Sequence, residues 1–138
     1  MRIFLDTNIL LDQALPREAF AEEAERVLQV CTYPGNSALI EWHTFTNLYY
    51  VMRRAKGNDA TRSYLRSLVK WVKLAPTGLG QLSESLKADT GDLEDILQGL
   101  CARDGGADVI VTRDPRGFQT TSVRALSPKD FLAESETA

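Results

Sequence analysis

Cysteine and histidine are scarce in this 138-residue chain, which has two cysteines and one histidine. Cys31 and Cys101 each lie on the apolar stripe of a predicted helix. Buried reduced thiols explain them better than a disulfide or a catalytic cysteine, because free cysteine packs as a small hydrophobe. His43 has neither a second histidine nor a CxxC companion, so a structural or surface role explains it better than a role as general base.

Long apolar runs are also missing. No apolar stretch reaches the roughly 18 residues of a transmembrane helix, and no charged leader precedes an apolar core and a small-residue cleavage site. We therefore expect a soluble protein that is cytoplasmic and does not bind membranes.

A basic excess is absent as well, since 16 Lys and Arg against 19 Asp and Glu give a net charge of −3 and a pI near 5.2. Nucleic-acid-binding proteins usually carry a basic footprint, so this balance argues against a uniformly basic surface. Local basic patches remain compatible with it, because an average over the chain hides them.

The chain length favours a single domain. At 138 residues it lies near the most common domain size, and 43% hydrophobic and 25% charged residues are ordinary for a globular protein. We predict one domain over residues 1–133 and a frayed tail over residues 134–138.

Hydrophobic periodicity predicts alternating strands and helices. Short apolar runs predict strands at residues 2–5, 37–42, 72–75, 109–112 and 123–126. Helical spacing predicts helices at residues 17–31, 44–54, 60–71, 79–87, 92–103 and 129–132. This alternation predicts an α/β fold, a three-layer α/β/α sandwich with right-handed crossovers around a mainly parallel sheet.

Two carboxylates directly follow predicted strands. Asp6 begins an Asp-Thr-Asn motif after the first strand, and Asp114 ends a Thr-Arg-Asp motif at the end of the strand at residues 109–112. In an open parallel sheet the carboxyl ends of the strands share one edge, where ligands bind in a crevice. We therefore expect Asp6 and Asp114 to be neighbours despite their separation in sequence.

Asp92 and Asp95 open the helix predicted at residues 92–103. Residues three apart share a side of a helix, and the positive end of the helix dipole keeps both carboxylates ionised. Two interpretations stay open: the pair lines the crevice, or Asp92 is an N-cap with Asp95 as its partner. For this segment taken alone, capping is the stronger explanation.

Three or more carboxylates gathered at one edge repel each other unless a cation lies between them. Mg²⁺ suits a partly open acidic crevice, because it binds few protein carboxylates, keeps several waters and takes phosphate oxygens; Mn²⁺ takes similar ligands. Such a site can activate water and stabilise the charge that develops on a phosphodiester. The pattern therefore indicates a metal-dependent nuclease.

The order of these short motifs resembles that of the PIN-domain ribonuclease family. An Asp-Thr-Asn after the first strand, an Asp-x-x-Asp opening a later helix, and a Val-Ile-Val-Thr-Arg-Asp strand end occur between Met1 and about Leu132. Each motif is weak alone, but their order and spacing together are fairly specific. The resemblance implies about five parallel strands and a Mg²⁺- or Mn²⁺-dependent endoribonuclease, and many members are VapC-type toxins that a cognate antitoxin blocks.

The resemblance also implies which residues act. It assigns catalysis and metal binding to Asp6, Asp95 and Asp114, whose carboxylates we expect within reach of a single ion. Four further positions are implied as auxiliary: Asn8, Asn47, Asp92 and Thr112.

The chain departs from the family at the second acidic position, where members commonly have Glu on the helix after the second strand. The segment at residues 44–50 aligns best there and places Asn47, an uncharged amide, in that position. Glu41, near the end of the preceding strand, is the alternative if its side chain reaches the crevice. Asn47 also keeps open a degenerate PIN domain that binds RNA or a protein without cutting.

Two groups of basic residues are candidates for contacting RNA. Arg113 and Arg116 flank Asp114 and are expected to contact the scissile phosphate. A second group lies in the predicted hairpin at residues 44–71, where guidance of phosphates and ordinary solvated helix faces are equally good explanations. Its members are Arg53, Arg54, Lys56, Arg62, Arg66 and Lys70.

The same hairpin is rich in aromatic residues, namely Phe45, Tyr49, Tyr50, Tyr64 and Trp71. Large aromatic patches on soluble proteins commonly mark interfaces, and the family resemblance implies a homodimer with an antitoxin-binding groove nearby. The alternative is that the rings pack between the helices and onto the sheet.

Two other enzyme and signalling classes fit less well. A haloacid-dehalogenase-type phosphatase needs a second aspartate two residues after the first, and here that position is Asn8. A receiver domain needs a phosphorylated aspartate after the third strand and a late lysine, and neither pattern is clear.

Overall fold

The computed structural model describes residues 1–15, 17–119 and 121–137. Along the chain the elements are β1 (Arg2–Leu5), α1 (Thr7–Ala14), α2 (Ala21–Cys31), β2 (Ser37–Ile40), α3 (Trp42–Lys56), α4 (Asn58–Leu68), β3 (Val72–Leu74), α5 (Leu79–Ser85), α6 (Leu93–Asp104), β4 (Val109–Val111), a 3₁₀ turn (Pro115–Phe118), β5 (Ala125–Leu126) and α7 (Pro128–Thr137).

The strands form one parallel sheet in the order β3-β2-β1-β4-β5. Helices cover both of its faces, so the predicted three-layer α/β/α sandwich with five strands is confirmed. Strand β1 lies at the centre of the sheet. Three of its four residues are completely buried, as expected for a strand covered on both faces.

Alternate residues of β1 face two separate cores. Ile3 and Leu5 pack into the larger core with α1, α2, α3, α4 and α7, whereas Phe4 packs into the smaller core with Cys101 of α6 and Ile110 of β4. Each fully buried side chain of this size contributes roughly 1.5–3 kcal/mol of hydrophobic stabilisation. The two cores fix the register, because a shift by one residue would exchange every side chain between them.

The register brings the ends of three strands together. Leu5 pairs with Val111, Phe4 pairs with Leu39, and the amide of Asp6 donates to the Val111 carbonyl at 3.1 Å. The residues that immediately follow β1, β2 and β4 therefore lie side by side at the carboxyl edge of the sheet.

Helix α1 was not predicted, and β2 is shorter than predicted. Asp6 and Glu41 have extended backbones and occupy the N-cap positions of α1 and α3, so each strand passes into a helix within one residue. The polar residues at 6–8 separate β1 from the apolar run Ile9 to Leu11, but that run of three residues is too short to show helical periodicity, which is why α1 was not predicted.

The predicted frayed tail is wrong for residues 134–137, which belong to α7. The side chain of Ser127 caps this helix by accepting from the Asp130 amide at 3.1 Å. Ion pairs of Glu134 with Arg124 and of Glu136 with Arg26 hold its last turns against the rest of the domain. Ala138 lies outside the described residues, and among the helices described none is long and apolar enough to cross a membrane.

Candidate active site

Asp6 lies at the carboxyl end of the central strand and is 7% exposed. The Thr112 hydroxyl donates to Asp6 Oδ2 at 2.8 Å and accepts from the Asp114 amide at 3.1 Å. Burial raises the pKa of Asp6, while the Thr112 hydrogen bond partly opposes that rise. Thr112 therefore joins the first and last of the predicted carboxylates through one hydroxyl group.

Asp92 is the N-cap of α6, and its Oδ1 accepts from the Asp95 amide at 3.1 Å. The capping interpretation of Asp92 is thus confirmed, and it does not remove Asp95 from the edge. Burial raises the pKa of Asp95 to about 6, with further contributions from the negative charges of Asp92, Asp6, Glu94 and Asp114. The negative charges of four neighbouring carboxylates therefore act on Asp95.

Gly117 packs directly against Asp95. A Cβ atom at position 117 would overlap the Asp95 carboxylate and would lie 3.7 Å from Asp114 Oδ2. Phe118, which is buried in the smaller core, anchors the turn that carries Gly117. The absence of a side chain at this position therefore sets how closely the 3₁₀ turn approaches the first turn of α6.

Glu41 follows β2 as Asp6 follows β1, and it is completely buried. Neither carboxylate oxygen of Glu41 has a hydrogen-bond partner within the described ranges. Its Oε2 is in ionic contact with His43 Nδ1, and His43 Nε2 lies 3.5 Å from Glu94 Oε1. His43 thus connects Glu41 with the acidic first turn of α6.

Asn47 is half-buried and lies farther along α3. Six residues separate it from Glu41, which corresponds to a rise of about 9 Å along a helix axis. Glu41 therefore takes the position next to Asp6 at the strand ends, while Asn47 lies on α3, the helix after β2 on which the resemblance placed it. Asn8 is exposed in the first turn of α1.

Arg113 and Arg116 differ in their surroundings. Arg113 Nε lies 2.8 Å from Oδ2 of the buried Asp12, and its guanidinium stacks over the ring of Phe20 at 4.3 Å. Arg116 is exposed in the 3₁₀ turn next to Asp114. The predicted phosphate contact is consistent with the position of Arg116, whereas the Arg113 guanidinium is directed to α1.

The acidic edge has the donor chemistry of a Mg²⁺ or Mn²⁺ site, because Asp6, Asp95, Asp114 and Glu41 offer carboxylate oxygens, with Glu41 Oε2 in ionic contact with His43. Burial is the main cause of the raised pKa of Asp95, and repulsion from the neighbouring carboxylates, which a dication would relieve, adds to it. Nevertheless, among residues 1–15, 17–119 and 121–137 no three His, Cys, Asp or Glu side chains are already arranged to hold one ion. Asp6, Asp95 and Asp114 thus lie at one edge of the sheet, but their carboxylates are not arranged around a single ion position as expected.

Sequence reasoning missed three acidic residues of this region. Glu41 was only an alternative, Glu94 was passed over within its Asp-Leu-Glu-Asp motif, and Asp12 was not considered. Glu94 could have been found from its place in the first turn of an acidic helix, and Glu41 from its place after a strand. Asp12 gives no such signal, because it lies within an apolar helix.

The hairpin of α3 and α4 is basic and aromatic. Its groove is lined by Phe45, Thr46, Tyr49, Tyr50, Arg62, Leu65, Arg66 and Val69. Arg53 stacks over Tyr49 and Tyr50 at 5.5 and 5.8 Å. Tyr50 is 60% exposed, whereas Phe45, Tyr49, Tyr64 and Trp71 are partly buried against the larger core, so packing accounts for most of the rings.

The fold and the acidic edge define a class, a three-layer α/β/α protein whose carboxylates gather where parallel strands end. A family model described as PIN domain matches residues 2–116, and the chain belongs to the PIN-domain family. No curated protein matches the chain.

Several solved structures share the fold. VapBC2 from Rickettsia felis, bound to a DNA fragment from its promoter, has a TM-score of 0.68 and 17% identity over 92% of this chain and 98% of that one. VapBC-1 from nontypeable Haemophilus influenzae has a TM-score of 0.66 and 21% identity over 94% and 99%. VapC20 from Mycobacterium tuberculosis, a toxin that cleaves the sarcin-ricin loop, has a TM-score of 0.63 and 16% identity over 78% and 86%. At these identities the similarity concerns the fold.

Proposed function

We propose that this PIN domain is a divalent-metal-dependent endoribonuclease of the VapC toxin type, acting in the cytoplasm. The observation that carries the proposal is the acidic carboxyl edge, where burial and four neighbouring carboxylates raise the pKa of Asp95 to about 6. Strongly perturbed carboxylates in a crevice are typical of catalytic sites. The similarity of the fold to VapC20, a ribonucleolytic toxin by its description, supports the choice of RNA as substrate.

Asp6, Asp95 and Asp114 would hold Mg²⁺ or Mn²⁺, with Glu41 in the second acidic position instead of Asn47. When bound, the metal supplies an activated water and stabilises the charge on the phosphodiester oxygens, without a covalent intermediate. Asp6 is oriented by the hydrogen bond from Thr112, and Asp95 begins a helix that Asp92 caps. Asn8, in the first turn of α1, is a further polar group for water or substrate.

Arg116 is our candidate for the contact with the scissile phosphate. It is exposed in the turn that follows Asp114, and an arginine fork suits phosphate oxygens. The hairpin arginines extend this contact along the RNA, which agrees with a protein that is acidic on average but basic on one hairpin.

We further propose a cognate antitoxin and a homodimer as partners. The structures from Rickettsia felis and Haemophilus influenzae are described as VapBC assemblies, which supports an antitoxin. The groove between α3 and α4 offers apolar and aromatic surface for such contacts. Light scattering of the isolated chain is expected to show a dimer, and a monomer at high micromolar concentration would contradict this part of the proposal.

Cleavage of single-stranded RNA and binding of Mn²⁺ test the function together. The protein is expected to cut RNA with Mg²⁺ or Mn²⁺ and to stop in excess chelator. Asp6→Asn, Asp95→Asn and Asp114→Asn should each abolish cleavage, and Asp6→Asn should also abolish Mn²⁺ binding measured by calorimetry. Arg103→Ala, which removes exposed ion pairs with Glu84 and Asp104, is the control and should remain active. Equal activity in chelator would exclude the proposal.

One observation favours a second function, a PIN domain that binds RNA without cutting it. In the part of the chain that the structure describes, no carboxylate set is already arranged to hold an ion. RNA binding with no cleavage at any Mn²⁺ concentration, together with no Mn²⁺ binding, would establish this alternative.

A further inference from the structure

We propose that the buried Asp12 and the partly buried Arg113 form a positioning pair that fixes the strand-end segment carrying Thr112 and Asp114 against α1. The inference rests on the proposed function in one respect, namely that Asp114 belongs to the active site. It gives roles to a buried carboxylate that the proposed reaction does not use and to an arginine that the sequence assigned to the substrate.

Asp12 is an unusual residue for its place in the fold. Its side chain is 1% exposed, on a helix whose other buried residues are apolar apart from Thr7. A buried carboxylate is strongly unfavourable unless a cation compensates it. Two arginines do so here, with Arg113 Nε 2.8 Å from Oδ2 and an Arg17 guanidinium nitrogen 3.3 Å from Oδ1.

Arg113 is held by more than this one contact. The Nε atom is buried, and the guanidinium plane lies over the Phe20 ring at 4.3 Å, in the loop before α2. An arginine that is stacked on an aromatic ring and paired with a buried carboxylate has little freedom to reach a substrate phosphate. Its contacts instead attach the backbone at position 113 to α1 and to the start of α2.

That attachment acts on both neighbours of Arg113. The Thr112 hydroxyl donates to Asp6 Oδ2, and the Asp114 amide donates to the same hydroxyl. Helix α1 therefore holds the segment at two points, through Asp6 at its N-cap and through Asp12 in its second turn. Loss of the second point would loosen the backbone between Thr112 and Gly117, which is then held only at its ends, by the contacts of Thr112 and by the buried Phe118.

The test compares Arg113→Ala, Asp12→Ala and the double variant with Leu28→Ala. Leu28 is buried in the larger core on α2, so its truncation lowers stability without removing a contact of the strand-end segment. The first measurement is native-state amide exchange at Asp114 and Gly117, whose amides donate to Thr112 Oγ1 and to the Asp114 carbonyl. The second is Mn²⁺ affinity by calorimetry in the absence of RNA.

Both single variants should speed exchange at these two amides more than elsewhere and weaken Mn²⁺ binding by about tenfold, as outer-shell changes commonly do. The effect of the double variant should be clearly smaller than the sum of the single effects, because both single variants remove the contact between Asp12 and Arg113, and only the contacts with Arg17 and Phe20 are lost separately. Arg113→Lys, which keeps a cation beside Asp12, should fall between wild type and Arg113→Ala and serves if an alanine variant does not fold. Arg116→Ala should raise KM and leave amide exchange unchanged.

The proposal is overturned if exchange at Asp114 and Gly117 is unaffected, or if Leu28→Ala increases it equally. It is also overturned if the effects of the two single variants simply add. Failure of the proposed function gives a different result: the wild-type protein then neither binds Mn²⁺ nor cuts RNA, while local amide exchange still decides whether the Asp12 and Arg113 pair positions the segment.

Discussion

The polar groups at the two edges of the parallel sheet differ in the partners that they have. At the amino edge, the Arg2 amide donates to Asp108 Oδ2 at 2.7 Å and the Arg2 guanidinium donates to the Gly105 carbonyl at 3.1 Å. The terminal ammonium of Met1 donates to the Gly35 carbonyl nearby. At the carboxyl edge, Glu41 is buried with no hydrogen bond to any described residue, and Asp95 has a pKa of about 6.

This difference distinguishes polar groups that stabilise the fold from carboxylates that serve the proposed site. Charges at the amino edge have partners of opposite polarity, which is the usual condition of polar groups in a stable domain. Charges at the carboxyl edge are mostly of one sign, which lowers stability unless a cation binds. Natural proteins keep such local conflicts mainly at functional sites, and the two apolar cores offset them.

The largest expected effect distinguishes Glu41 from Asn47 as the second acidic position. Glu41→Gln keeps the shape of the side chain but removes its charge, so we expect RNA cleavage to fall by at least about a hundredfold. The melting temperature should hold or rise, because a completely buried carboxylate is replaced by a neutral amide whose oxygen can still accept from His43. Asn47→Ala is the matched variant on the same helix and should change cleavage little. The reverse order of the two effects would restore the alignment based on Asn47.

The next largest effect concerns the spacing between Asp95 and Asp114. Gly117→Ala should weaken Mn²⁺ binding by about tenfold, because the new methyl group displaces the Asp95 carboxylate. Gly80→Ala is the control, since a Cβ at Gly80 meets no described atom within 4 Å and alanine suits its helix. Calorimetry on both variants measures the difference. Similar affinities for the two would show that Asp95 has room to move.

Much of the fold followed from the sequence because parallel strands buried on both faces produce short continuous apolar runs. The runs before Asp6 and Asp114 located two strand ends, and general sheet geometry then placed both carboxylates at one edge. The N-cap of α6 was also recognisable, because Asp92 precedes a periodic apolar stripe.

The other features of the site depended on the exact residue at which a strand ends, or on contacts between residues far apart in sequence. The strand end at Ile40 was placed two residues too late, which hid Glu41 as the first residue after β2. The pairing of Arg113 with Asp12 joins a strand end to α1, a helix too short to be predicted from periodicity. A single sequence carries no local signal for such a contact, so both arginines beside Asp114 were given the same role.

A smaller effect concerns stability at the carboxyl edge. The folded pKa of Asp95 is raised from 3.8 to about 6, so ionisation lowers stability as pH rises through this range, and the full penalty is present above pH 6. Asp95→Asn should therefore stabilise the metal-free protein at pH 7 by about 1 kcal/mol, after allowance for solvent screening of a half-buried group. The gain should vanish below about pH 4, where Asp95 is protonated in both states. Urea unfolding at the two pH values measures it, and equal gains at both would refute the electrostatic origin.

The smallest expected effect is at the amino edge, where the same change should have the opposite sign. Asp108 is exposed and accepts from the Arg2 amide, and Asn at this position retains an acceptor oxygen while losing the charge. Asp108→Asn should therefore destabilise the protein by about 0.5 kcal/mol or less at pH 7. It should leave Mn²⁺ affinity and RNA cleavage unchanged, because Asp108 lies at the opposite end of β4 from Asp114. Unfolding in urea beside Asp95→Asn compares the two edges directly. If Asp108→Asn instead stabilised the protein, unfavourable charge would not be confined to the carboxyl edge, and the raised pKa of Asp95 would no longer single out that edge as the functional one.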